Sequence, residues 1–369
     1  MSGSWSAVLL ILVNVALWGI IHLIPNLKNK KLIFLVLSFV SLLVFLCIRE
    51  QHSDLLRYED FFTKLKVGEI EAINQKDWEI GFRLSLYVIR FFTDNTLVLR
   101  CIIALATLTG PFLFFKRYSK NYLLTISMFI ALGTFSMHFY VLRQAIAVSI
   151  FLAAFHLITD KKAIKYCIAI IIAALFHQTA AVLLLIYPLV NVPQSKKKTI
   201  VVTVITAVGI IFSPLIANLL VGKFYSEYSD GTAGSGVRLL ILYICIYAFY
   251  MFLTWRIYVY KRRVKSEKMP KWTKLKKEAL TTMGVIKKQD WFAADRSALV
   301  TMFWQFFATQ NNMFCRLANY TCDSFCVLVP NSIQDLNKKE RVIFTVCTII
   351  TCICFILTTG RLSWYNVMW

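Results

Sequence analysis

Residues 173–198 read AALFHQTAAVLLLIYPLVNVPQSKKK, and the number of times this stretch crosses a membrane decides the fold. His177 interrupts an apolar run over 164–190, where an ionisable ring is expensive. One continuous helix would carry Lys196, Lys197 and Lys198 to the side opposite Lys161, Lys162 and Lys165. A break at Phe176, His177 and Gln178 sends the run in and back, so that both lysine clusters stay on one side. Short basic clusters between apolar runs mark cytoplasmic loops, and the second reading keeps all of them there. His177 is then expected at the turn of a hairpin facing the extracytoplasmic side. Arms of about a dozen residues, rising about 1.5 Å each, fall short of a hydrocarbon core about 30 Å thick. The hairpin is therefore expected to be re-entrant or broken, with its irregular backbone buried in protein or lining water.

The rest of the chain supplies a bundle around it. Of the 369 residues, 58% are hydrophobic and 16% charged, against about 25% charged in an average soluble domain; the mean hydropathy is +0.65. Runs near the roughly 20 apolar residues that a crossing needs occupy 5–24, 32–48, 97–115, 122–140, 141–158, 200–221, 237–258, 292–309 and 342–358, with 313–329 as a return span. The expected fold is all-α: a polytopic transmembrane helix bundle forming one integral membrane domain over 1–369. It carries an extracytoplasmic amphipathic segment at 49–96 and a basic cytoplasmic loop at 261–290. The first run lacks a basic flank before it and has Lys28, Lys30 and Lys31 after it, the wrong order for a cleaved signal, so it reads as a retained span. The net charge of +22 sits mainly in clusters between runs; orientation accounts for it, and no nucleic-acid partner is expected.

On this topology several ionisable groups gather on the outer side: Arg49, Asp54 and Arg57 after the second run, Arg100 at the head of the third, Arg143 between two apolar runs, and His177. Charges at membrane depth usually line a cavity or a substrate path. Asp54, Tyr58 and Phe62 recur every four residues, which puts a carboxylate, a phenol and a phenyl ring on one helical face. The chain has no D-x-D, H-E-x-x-H, Walker or G-x-S-x-G motif, so nucleotide-sugar, zinc, ATP and serine-hydrolase chemistries lack their usual residues. No metal or cofactor is expected. An arginine-rich outer cavity in an apolar bundle suits an amphiphile with an anionic head, because guanidinium forks pair with phosphate oxygens.

The stretches DLLRYEDFF at 54–62, WEIGF at 78–82, LRQAIAVSI from Leu142, LFHQTA from Leu175 and RLANY from Arg316 cover most of the chain in their order and spacing. Together they resemble the EpsG family of bacterial exopolysaccharide membrane proteins, relatives of the Wzy-type polysaccharide polymerases. His52 stands where that family often has a glycine, two residues before the aspartate. The resemblance implies polymerisation or chain extension of a capsular, exo- or O-antigen polysaccharide from isoprenoid-diphosphate-linked repeat units. The place implied is the outer face of the bacterial cytoplasmic membrane, with the lipid-linked oligosaccharide, the bilayer and other polysaccharide export proteins as partners. For that chemistry the residues to expect are His177 or Asp54 as base, and Arg143 at the diphosphate with help from Arg100 or Arg316. Tyr58 and Arg49 are expected to line the same site. The alternatives are a flippase for the same lipid-linked sugars and a membrane acyltransferase that decorates the polysaccharide.

Overall fold

A computed structural model describes residues 3–49, 53–68, 77–191, 235–265, 288–309 and 313–359. The expected span at 200–221, the lysines at 196–198, the 261–290 loop except its ends, and His52 lie outside the described residues. Among those described, every regular element is helical. Six helices are long and apolar enough to cross a membrane: Trp5–Leu23, Lys30–Cys47, Thr96–Tyr118, Leu142–Thr159, Val237–Val259 and Lys338–Thr358. The protein is a polytopic helical membrane protein.

The chain divides into two compact units, the first made of Met1–His156, Ile164–Ala181 and Asn337–Trp369, the second of Leu157–Ala163 and Val182–Leu336. In the first unit, α1 (Gly3–Leu23) packs on α2 (Lys30–Cys47), and α2 on α5 (Thr96–Tyr118). α5 starts where Asn95 Oδ1 accepts from the Leu97 amide at 2.8 Å, satisfying one of the free N–H groups of its first turn. It ends with Lys116 and Arg117 in the last turn, where cations complement the helix dipole. Its main neighbour is α8 (Leu142–Ala154), tied by the Gly110 amide to the Ser149 hydroxyl at 2.8 Å.

Between them in sequence come α3 (Ser53–Lys64) and α4 (Ile80–Phe92) in the amphipathic segment. α3 buries Leu55, Tyr58, Phe61 and Phe62, and α4 buries Phe82 and Leu86, against Leu99 and Ile103 of α5 and Leu142 and Ile146 of α8. The Tyr58, Phe61, Trp78 and Phe82 rings meet edge to face at 4.6–6.1 Å between centroids, a favoured aromatic geometry. The other side of α4 exposes Ile80, Leu84, Val88, Phe91 and Phe92, so this helix is apolar toward the bundle and apolar away from it.

The expected span over 122–140 is broken. α6 (Tyr122–Ala131) stops, and after a turn comes the four-residue α7 (Met137–Tyr140). Gly133 takes a positive φ of 81°, which glycine adopts without penalty, and the Thr134 hydroxyl donates to the Phe129 carbonyl at 2.9 Å. Hydropathy does not register such a turn.

The hairpin around His177 is present as a break. α9 (His156–Thr159) leads to α10 (Ala163–Phe176), which ends one residue before the histidine; a 3₁₀ helix follows over Gln178–Leu185, then α11 (Ile186–Asn191). Pro188 lies in the first turn of α11, where its missing N–H is no loss. The Asn191 amide donates to the Ile158 carbonyl at 3.2 Å, so the chain that departs after Ile158 comes back to it at Asn191.

In the second unit, α12 (Ser235–Lys265) packs on α13 (Lys288–Phe307) and α15 (Phe325–Gln334). Tyr243 stacks on Phe325 at 5.1 Å, and Tyr247 donates to Asp295 at 3.0 Å. The expected return span over 313–329 is instead α14 (Met313–Ala318), a turn, a short 3₁₀ piece and α15. Polar Asn319 and Thr321 to Ser324 favour a turn over helix there. α16 (Lys338–Thr359) returns to the first unit and packs on α1 and α6.

Candidate functional site

Glu79 joins the site together. It occupies the N-cap position of α4 but makes no side-chain cap bond; its carboxylate reaches other segments instead. Oε2 accepts from Arg143 Nη1 on α8. Oε1 takes His177 Nδ1 at 2.9 Å and the Gln178 amide at 3.3 Å. That amide is turned to the carboxylate just where α10 ends and the 3₁₀ helix begins, so Glu79 caps the irregular backbone at the break. Burial pushes the Glu79 carboxyl up, but the His177 hydrogen bond and the charges of Arg143 and His177 outweigh it and hold it at about 2. Glu79 is thus a carboxylate, able only to accept.

That fixes the histidine. With Nδ1 donating to Glu79, Nε2 is the ring nitrogen left to carry a lone pair. His177 is 7% exposed, and its buried Nε2 has no hydrogen-bond partner among the described residues. Gly81 makes the approach of α4 possible: a Cβ there would lie 2.7 Å from the Leu175 carbonyl oxygen of α10. The one motif WEIGF therefore supplies the acid that holds His177 and the glycine that lets its helix come close.

Arg143 is fixed from two sides, by Glu79 and by the Tyr58 hydroxyl, which accepts from Nε at 3.0 Å. Its side chain is 26% exposed. Burial raises the Tyr58 hydroxyl to about 12, against the lowering pull of Arg143, so Tyr58 stays protonated. Asp54, half-buried in the first turn of α3, adds to that rise through its charge. Arg100 faces Glu59: Nε and Nη2 take one carboxylate oxygen each in a buried, two-pronged pair. Arg49 is completely buried and donates Nη1 to the His138 carbonyl at the head of α8's preceding turn, in α7.

The structure brings together four of the residues expected from sequence, His177, Arg143, Tyr58 and, through its charge, Asp54. Arg100 is spent on Glu59, and Arg316 lies on α14 in the second unit. Glu79 and Glu59 were not foreseen. The near balance of charge in 49–96 was the signal: outer arginines with acids in the same segment have partners to find.

This cluster is built from stretches 54–62, 78–82, 142–150 and 175–180. A model of the EpsG family matches residues 32–366, nearly the whole chain. The chain belongs to the EpsG family. As such it is an exopolysaccharide-related, multi-pass membrane protein. No curated protein and no solved structure matches it, so the EpsG match carries the assignment. The EpsG stretches that meet at Glu79 come from α3, α4, α8 and the α10 break.

Proposed function

We propose that this EpsG protein extends a cell-surface polysaccharide from isoprenoid-diphosphate-linked repeat units at the outer face of the bacterial cytoplasmic membrane. An acceptor sugar hydroxyl attacks the anomeric carbon of the growing chain; the new C–O bond forms as the bond to the diphosphate oxygen breaks. The proton goes to His177 Nε2, and the electron pair leaves with the diphosphate. The observation that carries this reading is the buried, unpartnered Nε2 of a histidine held by a carboxylate. A carboxylate on the far nitrogen fixes the tautomer and stabilises the imidazolium that forms, and such a base contributes about 10²–10⁴-fold. Arg143, bound to the same carboxylate and partly exposed, is the cation nearest to that base by bonding and faces the developing diphosphate charge. Asp54, one helical turn from Tyr58, acts on the electrostatics of the site and not as the base.

The test is reconstitution. Purified protein in liposomes, given the authentic lipid-linked repeat unit on the outer leaflet, is expected to produce a ladder of longer lipid-linked glycans without ATP or nucleotide sugar. Movement of the unit across the bilayer with no ladder would mean a flippase, and dependence on an acyl donor an acyltransferase; either result overturns the proposal.

A further inference from the structure

Arg49 stands apart from the other arginines of the first unit. Arg100 has Glu59 on both prongs, and Arg143 has Glu79 and Tyr58. Arg49 has 0% exposure, yet among the described residues its Nε and Nη2 have no hydrogen-bond partner. Its Nη1 is occupied by the His138 carbonyl, and the Phe139 ring centroid lies 5.8 Å from the guanidinium carbon. Nε and Nη2 share one edge of the guanidinium, the edge that receives two oxygens of a carboxylate or phosphate side by side. His138, 1% exposed, likewise leaves Nδ1 without a partner among the described residues.

The charge does not balance locally. Glu59 is the carboxylate whose charge reaches Arg49, but both of its oxygens are taken by Arg100. Among the described residues, two guanidiniums share one acid. Burial and the repulsion of Arg100 bring the Arg49 guanidinium down to about 10, still charged at neutral pH. A buried, uncompensated charge is strongly destabilising, and an apolar residue of similar volume would be preferred there for stability alone. The Phe139 ring beside Arg49, which packs on Phe45 and Phe135, would accept one.

We propose that the free edge of Arg49 is an oxyanion site that takes a phosphoryl group. Donors with no acceptor among the described residues call for one from a ligand, and a phosphoryl group supplies two oxygens at the fork and negative charge to cancel the excess. If chain extension is the activity, the diphosphate of the lipid carrier is the source; a free phosphate or an anionic lipid head group has the same chemistry.

Thermal stability and binding titrations on the full chain in phosphatidylcholine nanodiscs separate these sources, with inorganic phosphate, inorganic diphosphate and a short isoprenyl diphosphate as probes. The wild type is expected to be stabilised by at least one probe, and Arg49→Met to lose affinity by about tenfold or more, the scale of a charged hydrogen bond removed. Arg49→Lys keeps the charge without the fork and is expected to fall between them. Without any probe, Arg49→Met should be as stable as the wild type or more so; a purely structural arginine gives the reverse. Preference for the isoprenyl diphosphate assigns the site to the carrier, and equal response to phosphate alone assigns it to a free oxyanion. A response confined to nanodiscs with phosphatidylglycerol assigns it to a head group. The proposal is overturned if no condition stabilises the wild type, or if Arg49→Met responds undiminished. Because no glycan is present and no bond is made in these titrations, failure here is distinct from failure of chain extension.

Discussion

The two units use buried polar groups in different ways. In the second, hydroxyls bond to their own helix or the next one: Thr254 to the Tyr250 carbonyl at 2.8 Å, Ser332 to the Leu328 carbonyl at 3.1 Å, Thr301 to Thr321 at 2.8 Å. Such bonds satisfy groups that lipid cannot and tie helices together at modest gain. In the first, charged side chains reach across long sequence gaps, Arg143 to Glu79 over 64 residues and His177 to Glu79 over 98. Ionised groups cost far more to bury than hydroxyls. The second unit buries an ionisable group too, Asp295, held by the Tyr247 hydroxyl, but the first links an acid, a guanidinium and an imidazole in one cluster, and the proposed chemistry rests on that cluster.

The sharpest way to break this contrast is to exchange a polar group in each unit. His177→Ala is expected to lower the rate of glycan ladder formation by about 10²–10⁴-fold, and Glu79→Gln to lower it severely by releasing the ring. Asp295→Asn, which keeps an acceptor for the Tyr247 hydroxyl, should stay within a few-fold of the wild type. Equal losses in the two units, measured in the reconstituted assay, would erase the distinction.

Next in size is the buried Arg100–Glu59 pair. Glu59→Ala leaves a second guanidinium uncompensated beside Arg49 and should cost about 3–5 kcal/mol in denaturant unfolding. Replacing both partners by apolar residues of similar volume should recover most of that loss, and failure to recover it would show that the pair does more than neutralise itself.

Gly81→Ala sharpens the contrast geometrically. Its new methyl meets the Leu175 carbonyl, and overpacking of this kind costs about 1–3 kcal/mol. The expected result is a lowered melting temperature together with a lowered rate, because the same shift moves Glu79 away from His177. Smallest of all, Thr301→Val removes the hydroxyl pair with Thr321 and should cost about 0.6 kcal/mol with no change in rate.

Much of the first unit was readable from the chain. Hydropathy located α1, α2, α5 and α16 because a lipid-facing helix is apolar nearly all round, and charge parity located the break at His177 because lysines resist translocation. The break after Ala131 was not readable: its cause is one glycine conformation and two hydroxyls that bond locally, and the residues on both sides are as apolar as a span. Glu79 was missed for a different reason. It stands at the N-cap of α4, and nothing local marks an acid whose partners lie 64 and 98 residues away. Arg143 and His177 drew notice because each is a charge in an apolar run; Glu79 sits in a polar stretch, where charge is commonplace.

The way the hairpin is held has a consequence for the order in which the protein is made. α10 has 14 residues, about 21 Å at about 1.5 Å per residue, too short to rest in a bilayer as an independent crossing. Its resting place is the socket formed by Glu79, with Gly81 leaving room for Leu175. Ribosomes deliver the socket first: Glu79 and Arg143 precede His177 in the chain and leave the ribosome before it. The second arm, and Asn191 that closes it on Ile158, follow directly. Synthesis from the N-terminus thus presents a short, polar-tipped helix to a receptor already assembled, and the same helices translated in the opposite order would leave that tip in lipid with nothing to receive it.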